Sequence, residues 1–193
     1  MICLAERSRG GEKMKKTVAL GTVISLGGGA VCLFLQRSFP SDVLFSLEVT
    51  FFTTFFHFAM RFLTACAVTA FRKNRTYADS HFIRLCRAER MLYKKIRVGR
   101  WKKYAPTYKP QLFSLRENSY AELLHHMTDA LIGHMIMVVL SYAPIMLSGM
   151  LGGRMAFLLT SAAASVFDMQ FVIIQRYNRE RVWRILKKQT SAD

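Results

Sequence analysis

The run Ser119-Tyr120-Ala121-Glu122-Leu123-Leu124-His125-His126-Met127-Thr128-Asp129 sets two imidazoles between two carboxylates. On a helix, residues three and four apart share a face, which brings Glu122 beside both histidines and Asp129 beside His125. A carboxylate hydrogen-bonded to one ring nitrogen fixes the tautomer and leaves the other nitrogen able to take a proton. His125 is therefore the candidate general base, oriented by Glu122 or Asp129. The bland alternative is a hydrated helix end whose acidic and imidazole groups face water. Two more places hold ionisable groups inside apolar runs: His57 with Arg61, four residues apart, and Asp168. A carboxylate at the centre of a membrane span costs about 2.5–3.5 kcal/mol on insertion scales, so Asp168 is a functional candidate by default. For Arg61 the expected solution is snorkelling toward the interface.

Several chemistries are excluded by what is missing. Five histidines are too few for the repeated clusters of a membrane di-iron oxidase. A glycerolipid acyltransferase motif separates His and Asp by four residues, whereas three separate His125 from Asp129. No G-x-S-x-G elbow, P-loop or dinucleotide fingerprint occurs. Cys3, Cys32, Cys66 and Cys86 have no paired spacing and read as reduced thiols, with no zinc site. Neither a metal nor a cofactor is expected.

The elements that must position these groups are four apolar runs, near 18–35, 43–71, 131–148 and 155–174, in a chain that is 52% hydrophobic. Eighteen helical residues rise roughly 27 Å against a hydrocarbon core of about 30 Å, enough for the first run to span. It follows Lys15 and Lys16 and ends at Gln36-Arg37 without a cleavage pattern. Gly29-Ala30-Val31-Cys32 resembles a lipoprotein site, but Val31 stands where a small residue is needed, so an uncleaved span is expected. Met14 offers a second start, which would leave residues 1–13 as leader. The second run contains Glu48, His57 and Arg61. The third carries His134 and Pro144, and the fourth is rich in small residues that let helices approach closely. Gly149 to Gly153 makes a tight turn between them.

Of 28 Lys and Arg residues, 25 fall in three segments, before Val18, from Arg72 to Arg116 and from Arg176 to Lys188. A four-span path puts all three on one side, which the positive-inside rule makes the cytoplasm. This explains the net charge of +16 without nucleic acid, since the basic residues flank apolar runs. The expected class is thus an all-α integral membrane protein with about four transmembrane helices. Its parts are a basic cytoplasmic segment 1–17, one membrane domain 18–174 with a cytoplasmic loop 72–130, and a basic tail 175–193. Within the loop, Phe82, Ile83, Leu85, Met91, Leu92, Tyr93 and Ile96 alternate with basic residues, as in an amphipathic helix docked on anionic lipid. Trp101 and Tyr104 suit headgroup depth, and Pro106 and Pro110 end the helix.

Four features stand in a recognisable order: Trp101-Lys102 after the basic apolar stretch, Ala121-Glu122-Leu123-Leu124-His125 before a span, the apolar hairpin, and Gln175-Arg176-Tyr177-Asn178-Arg179 with Arg181 behind the last span. With them, the stretch from about Ala88 to Lys188 resembles the glycosyl-4,4′-diaponeurosporenoate acyltransferase family, bacterial cell-membrane proteins that complete staphyloxanthin-type carotenoid synthesis. It departs from that pattern at Asp168, where relatives carry Asn, at His126, where an aromatic follows the His, and at Glu180, where Pro is usual. The second span looks like an elaboration absent from shorter members. The resemblance implies transfer of a fatty acyl group, from acyl-CoA or an acyl carrier protein, to a sugar hydroxyl of a membrane-embedded glycosyl carotenoid or related glycolipid. The catalytic candidates are then His125, Glu122 and Asp129. Asn178, Arg179, Arg176, Asp168, Trp101, Lys102 and His57 are the substrate-binding candidates. Two other classes compete: a non-catalytic membrane scaffold for lipid or pigment enzymes, and another lipid-interface transferase such as a small multi-span methyltransferase.

Overall fold

The computed structural model describes residues 2–72, 84–101 and 110–191. They form seven α-helices and a 3-10 turn, with no strand among them. The helices are α1 (Ile2–Ser38), α2 (Asp42–Arg72), α3 (Arg87–Lys95), α4 (Val98–Trp101), α5 (Tyr120–Leu140), α6 (Ala143–Leu151) and α7 (Arg154–Thr190), and the turn is Pro110–Phe113. Four stretches are long and apolar enough to cross a membrane: Lys16–Ser38, Asp42–Phe71, Tyr120–Gly149 and Arg154–Gln189. The all-α, four-span expectation holds, but the boundaries differ from those read along the sequence.

Each difference has a local cause. Before Val18 the chain is already helical, since α1 begins at Ile2 and runs unbroken into the first span. Pro40 cannot continue a helix, so α1 stops, and the Ser41 carbonyl accepts the Phe45 N–H at 3.0 Å to start α2. The third span begins at Tyr120 rather than Leu131, and Pro144 divides it. Proline lacks the N–H that would bond back to Leu140 and its ring would crowd that carbonyl, hence the turn at Ser141-Tyr142. Two residues then suffice to reverse the chain. Gly152 and Gly153 take φ of 80° and 64°, the left-handed region that a Cβ disfavours. Nothing in Gln175 to Lys188 breaks a helix, so this stretch continues as the second half of a 37-residue α7. At 1.5 Å per residue α7 is roughly 55 Å long, well beyond a hydrocarbon core of about 30 Å.

The chain divides into two units. One comprises Lys15–Ala67 and Met135–Asp168. Here α1 and α2 pack antiparallel through a ladder of glycines against rings: Gly21 against Phe58, Gly28 against Phe51 and Gly29 against Phe52. Small residues at such a crossing let helix backbones approach where lipid offers no hydrophobic drive. Gly28 and Gly29, at the start of the lipoprotein-like sequence, have this packing as their reason. Phe34, Val43, Phe62 and Leu63 are exposed, as side chains turned to lipid would be.

The other unit comprises Met1–Met14, Val68–His134 and Met169–Asp193. Its core has two clusters. Leu85, Tyr93 and Val98 close on Ile174, with Trp101, Ile173 and Tyr177 at their edge. Leu123, Leu124 and Met127 close on Val182, with Phe113, Tyr120, Trp183 and Leu186 around them. The second half of α7 is thus packed by α3 and α4 and also by the start of α5. Burial pushes the Tyr93 phenol above its ordinary pKa, reinforced by the Glu89 carboxylate, so it stays neutral.

A Cβ on Gly28 would lie 2.8 Å from Phe51 Cε1, too close without movement. Gly28→Val should therefore cost about 1–3 kcal/mol by overpacking. Thermal unfolding in detergent should show the loss, and pairing the change with Phe51→Ala should recover part of it.

Candidate functional site

The dyad helix α5 opens with a reciprocal cap. Ser119 N–H donates to Glu122 Oε2 at 2.8 Å, while Glu122 N–H donates to Ser119 Oγ at 3.3 Å. The Ser119 hydroxyl also donates to Glu122 Oε2 at 2.8 Å. This is a capping box, and it commits the fully exposed Glu122 to the helix end. Of the two carboxylates expected to orient His125, the structure brings Asp129: His125 Nε2 lies 3.2 Å from Asp129 Oδ2, one turn along. Both side chains are partly exposed. His126 stands edge-on to His125, ring centroids 5.9 Å apart.

Behind this dyad lies a group that spacing did not single out. Thr128 is fully buried, donates to the Leu124 carbonyl at 2.7 Å, and accepts from Arg179 Nε at 2.8 Å. Arg179 itself is only 1% exposed. A guanidinium is held so far from water only where hydrogen bonds replace its hydration. The pair fixes α7 against α5 in antiparallel register, which the stack of His134 on Phe171 extends, centroids 4.7 Å apart and rings 10° from parallel. Asn178 and Arg179 thereby reach the level of Thr128 and Asp129. The side-chain amide of half-buried Asn178 makes no hydrogen bond to another described residue.

Other residues of the Gln175–Arg184 run hold the unit together. Arg176 grips Glu89 with both amino groups, at 3.1 and 3.2 Å, and donates to the Arg84 carbonyl at 3.0 Å. Glu89 also completes the cap of α3, accepting the Cys86 N–H at 3.0 Å while Cys86 Sγ accepts the Glu89 N–H at 3.3 Å. Glu180 receives Arg90 and Arg184, each at 2.9 Å. Arg84 lies over the Trp183 ring at 4.4 Å. Trp101 is packed into the first core cluster. Lys102 and the residues Phe82, Ile83, Tyr104 and Pro106 fall outside the described residues.

His57 and Asp168 belong to the first unit. The expectation that Arg61 snorkels is corrected. Its Nη2 donates to Asp168 Oδ2 at 2.6 Å and to the Ala164 carbonyl at 3.3 Å, and its Nη1 donates to the His57 carbonyl at 3.1 Å. Asp168 is fully buried, and in apolar surroundings an opposite charge within reach outweighs a stretch toward water. The guanidinium also lies 5.4 Å from the Phe167 ring centre.

The model of the glycosyl-4,4′-diaponeurosporenoate acyltransferase family matches residues 73–188, more than half of the chain. The chain belongs to this family. No curated protein and no solved structure matches it. The matched acyltransferase region holds the His125–Asp129 dyad, the Thr128–Arg179 bond and the Glu89–Arg176 pair. It also holds Asp168, whereas Arg61 and His57 precede it. The acyltransferase region therefore carries one member of a buried ion pair whose other member lies in the N-terminal hairpin.

Breaking that pair should be costly. Asp168→Asn leaves the Arg61 charge without its carboxylate, a loss of about 3 kcal/mol or more. Combining Asp168→Leu with Arg61→Met should restore most of it. Denaturation in detergent of the two variants beside the native chain checks both signs.

Proposed function

We propose that this protein transfers a fatty acyl group from a thioester, acyl-CoA or an acyl carrier protein, to a sugar hydroxyl of a glycosyl carotenoid or related glycolipid held in the membrane. The observation that carries the reading is the His125–Asp129 contact at 3.2 Å, inside a region that belongs to an acyltransferase family. With Nε2 donating to Asp129, the lone pair of His125 lies on Nδ1. That nitrogen takes the proton of the sugar hydroxyl as its oxygen attacks the thioester carbonyl. The tetrahedral oxyanion then collapses, the C–S bond breaks, and the imidazolium returns its proton to the departing thiolate. Asp129 stabilises the imidazolium in between.

Asn178, with its amide uncommitted and its backbone level with Asp129, is suited to donate to the oxyanion. Arg179 acts through Thr128 as a positioning residue, since its burial keeps it from a donor phosphate. The exposed Lys187 and Lys188 are better placed to attract those phosphates. The positive-inside count supports placing this end of α5 and α7 at the cytoplasmic boundary, where acyl thioesters are made. The membrane-embedded acceptor would then reach the dyad from the bilayer.

With purified protein, labelled acyl thioester and a glycolipid acceptor, His125→Ala should abolish transfer while the protein still accumulates. Asp129→Asn should lower kcat by roughly 10²–10⁴-fold, the usual range for general acid–base catalysis. Glu122→Gln should leave kcat near the native value, because Glu122 serves the cap. Full activity in His125→Ala would remove it from the mechanism. Absence of turnover in the native protein, with other lipid enzymes co-purifying, would favour a scaffold.

A further inference from the structure

The unit formed by Lys15–Ala67 and Met135–Asp168 holds a polar cluster that the His125 chemistry does not use. His57 is 5% exposed, and neither of its ring nitrogens has a hydrogen-bond partner. Ser161 is fully buried, and its Oγ likewise lacks one. Arg61 Nε is a third such atom in this unit. Buried polar atoms in native proteins are nearly always satisfied, so three such side chains in one unit call for a common cause.

Their helices bring them level. Gly153 lies against Phe45 and Val49, and about three to four turns further along both helices Arg61 reaches Ala164 and Asp168, so α2 and this half of α7 run parallel. His57 is one turn before Arg61, and Ser161 is one turn before buried Ser165, on the face that ends in Asp168. The two orphaned groups therefore stand at the same height.

The charges nearby decide what they would hold. Arg61 and Asp168 pair at 2.6 Å, leaving no net charge to favour an anion or a cation. A neutral imidazole offers one N–H and one lone pair, and a serine hydroxyl can both donate and accept. Their complement is a neutral group that also does both. We propose that His57 and Ser161 form a binding site for a neutral hydroxyl group, supplied by the sugar of a membrane lipid or by an ordered water. The proposal does not depend on acyl transfer.

The test uses the full chain in an alkyl amine-oxide detergent, with an alkyl glucoside as probe and thermal unfolding as readout. The native protein is compared with His57→Phe, Ser161→Ala and the double variant. If a lipid sugar is the ligand, glucoside at about five times its dissociation constant raises the native midpoint by about 2–4 °C, and either substitution removes the rise. If the hydroxyl is a water, glucoside has no specific effect. The two substitutions are then non-additive, because each empties the same site. Additive effects of either sign without a glucoside rise, or a rise that survives in both single variants, overturn the assignment. Ser161→Ala removes only one oxygen from a helix and decides the glucoside arm by itself, and His57→Leu takes the place of His57→Phe in the additivity arm if the latter does not accumulate.

Discussion

A charge withdrawn from water must be met by an opposite charge or by hydrogen bonds, and α7 carries four groups under that constraint: Asp168, Arg176, Arg179 and Glu180. Three elements meet them. Asp168 is met by Arg61 of α2, Arg176 by Glu89 of α3, Arg179 by Thr128 of α5, and Glu180 by Arg90 of α3. Apolar packing along α7 is non-directional and tolerates sliding by a turn. These pairings do not, because a slip would leave a charge buried alone at a cost of several kcal/mol. They set the register in which each unit's helices lie on α7.

The candidate site depends on that register. His125 and Asp129 lie on one face of α5 whatever surrounds them, since helical spacing alone brings them together. The Arg179–Thr128 bond is what carries Asn178 to their level. The basic run after the fourth apolar stretch thus does two jobs. Its buried members hold the helices, and its exposed ones give that end of the chain its positive surface. The cost of burying a guanidinium makes sense where the position of a neighbour, rather than stability, is what must be held.

The apolar hairpin of α1 and α2, which precedes the region shared with the acyltransferase family, is tied in by the same kind of constraint. Its own packing is steric, glycine against phenylalanine, and would form between any two helices that allow such close approach. Arg61 adds specificity. An arginine so placed in an apolar helix is tolerated only because Asp168 stands within reach. The two residues are most simply read as a matched pair, one in the hairpin and one in α7.

By itself the sequence determined the class and the count of spans, because twenty or so apolar residues in a row have few other uses, and the flanking Lys and Arg mark the ends. It also determined the His125–Asp129 contact and the QRYNR signature, both of which are local in the chain. Hydropathy reports where a helix is apolar and not where it ends, so α5 and α7 run beyond the apolar stretches 131–148 and 155–174. The capping box at Ser119 and the absence of Gly or Pro after Gln175 were the signals available. Only the tertiary structure decided which carboxylate orients His125, which arginine is buried, and where Arg61 points. The last two outcomes turn on partners 51 and 107 residues apart, and the first on a local competition for Glu122, and neither spacing nor composition ranks such partners. Glu122 went to its own helix end because a backbone N–H three residues away was already in place, and Arg61 went to Asp168 because in an apolar interior the nearest opposite charge outweighs distant water.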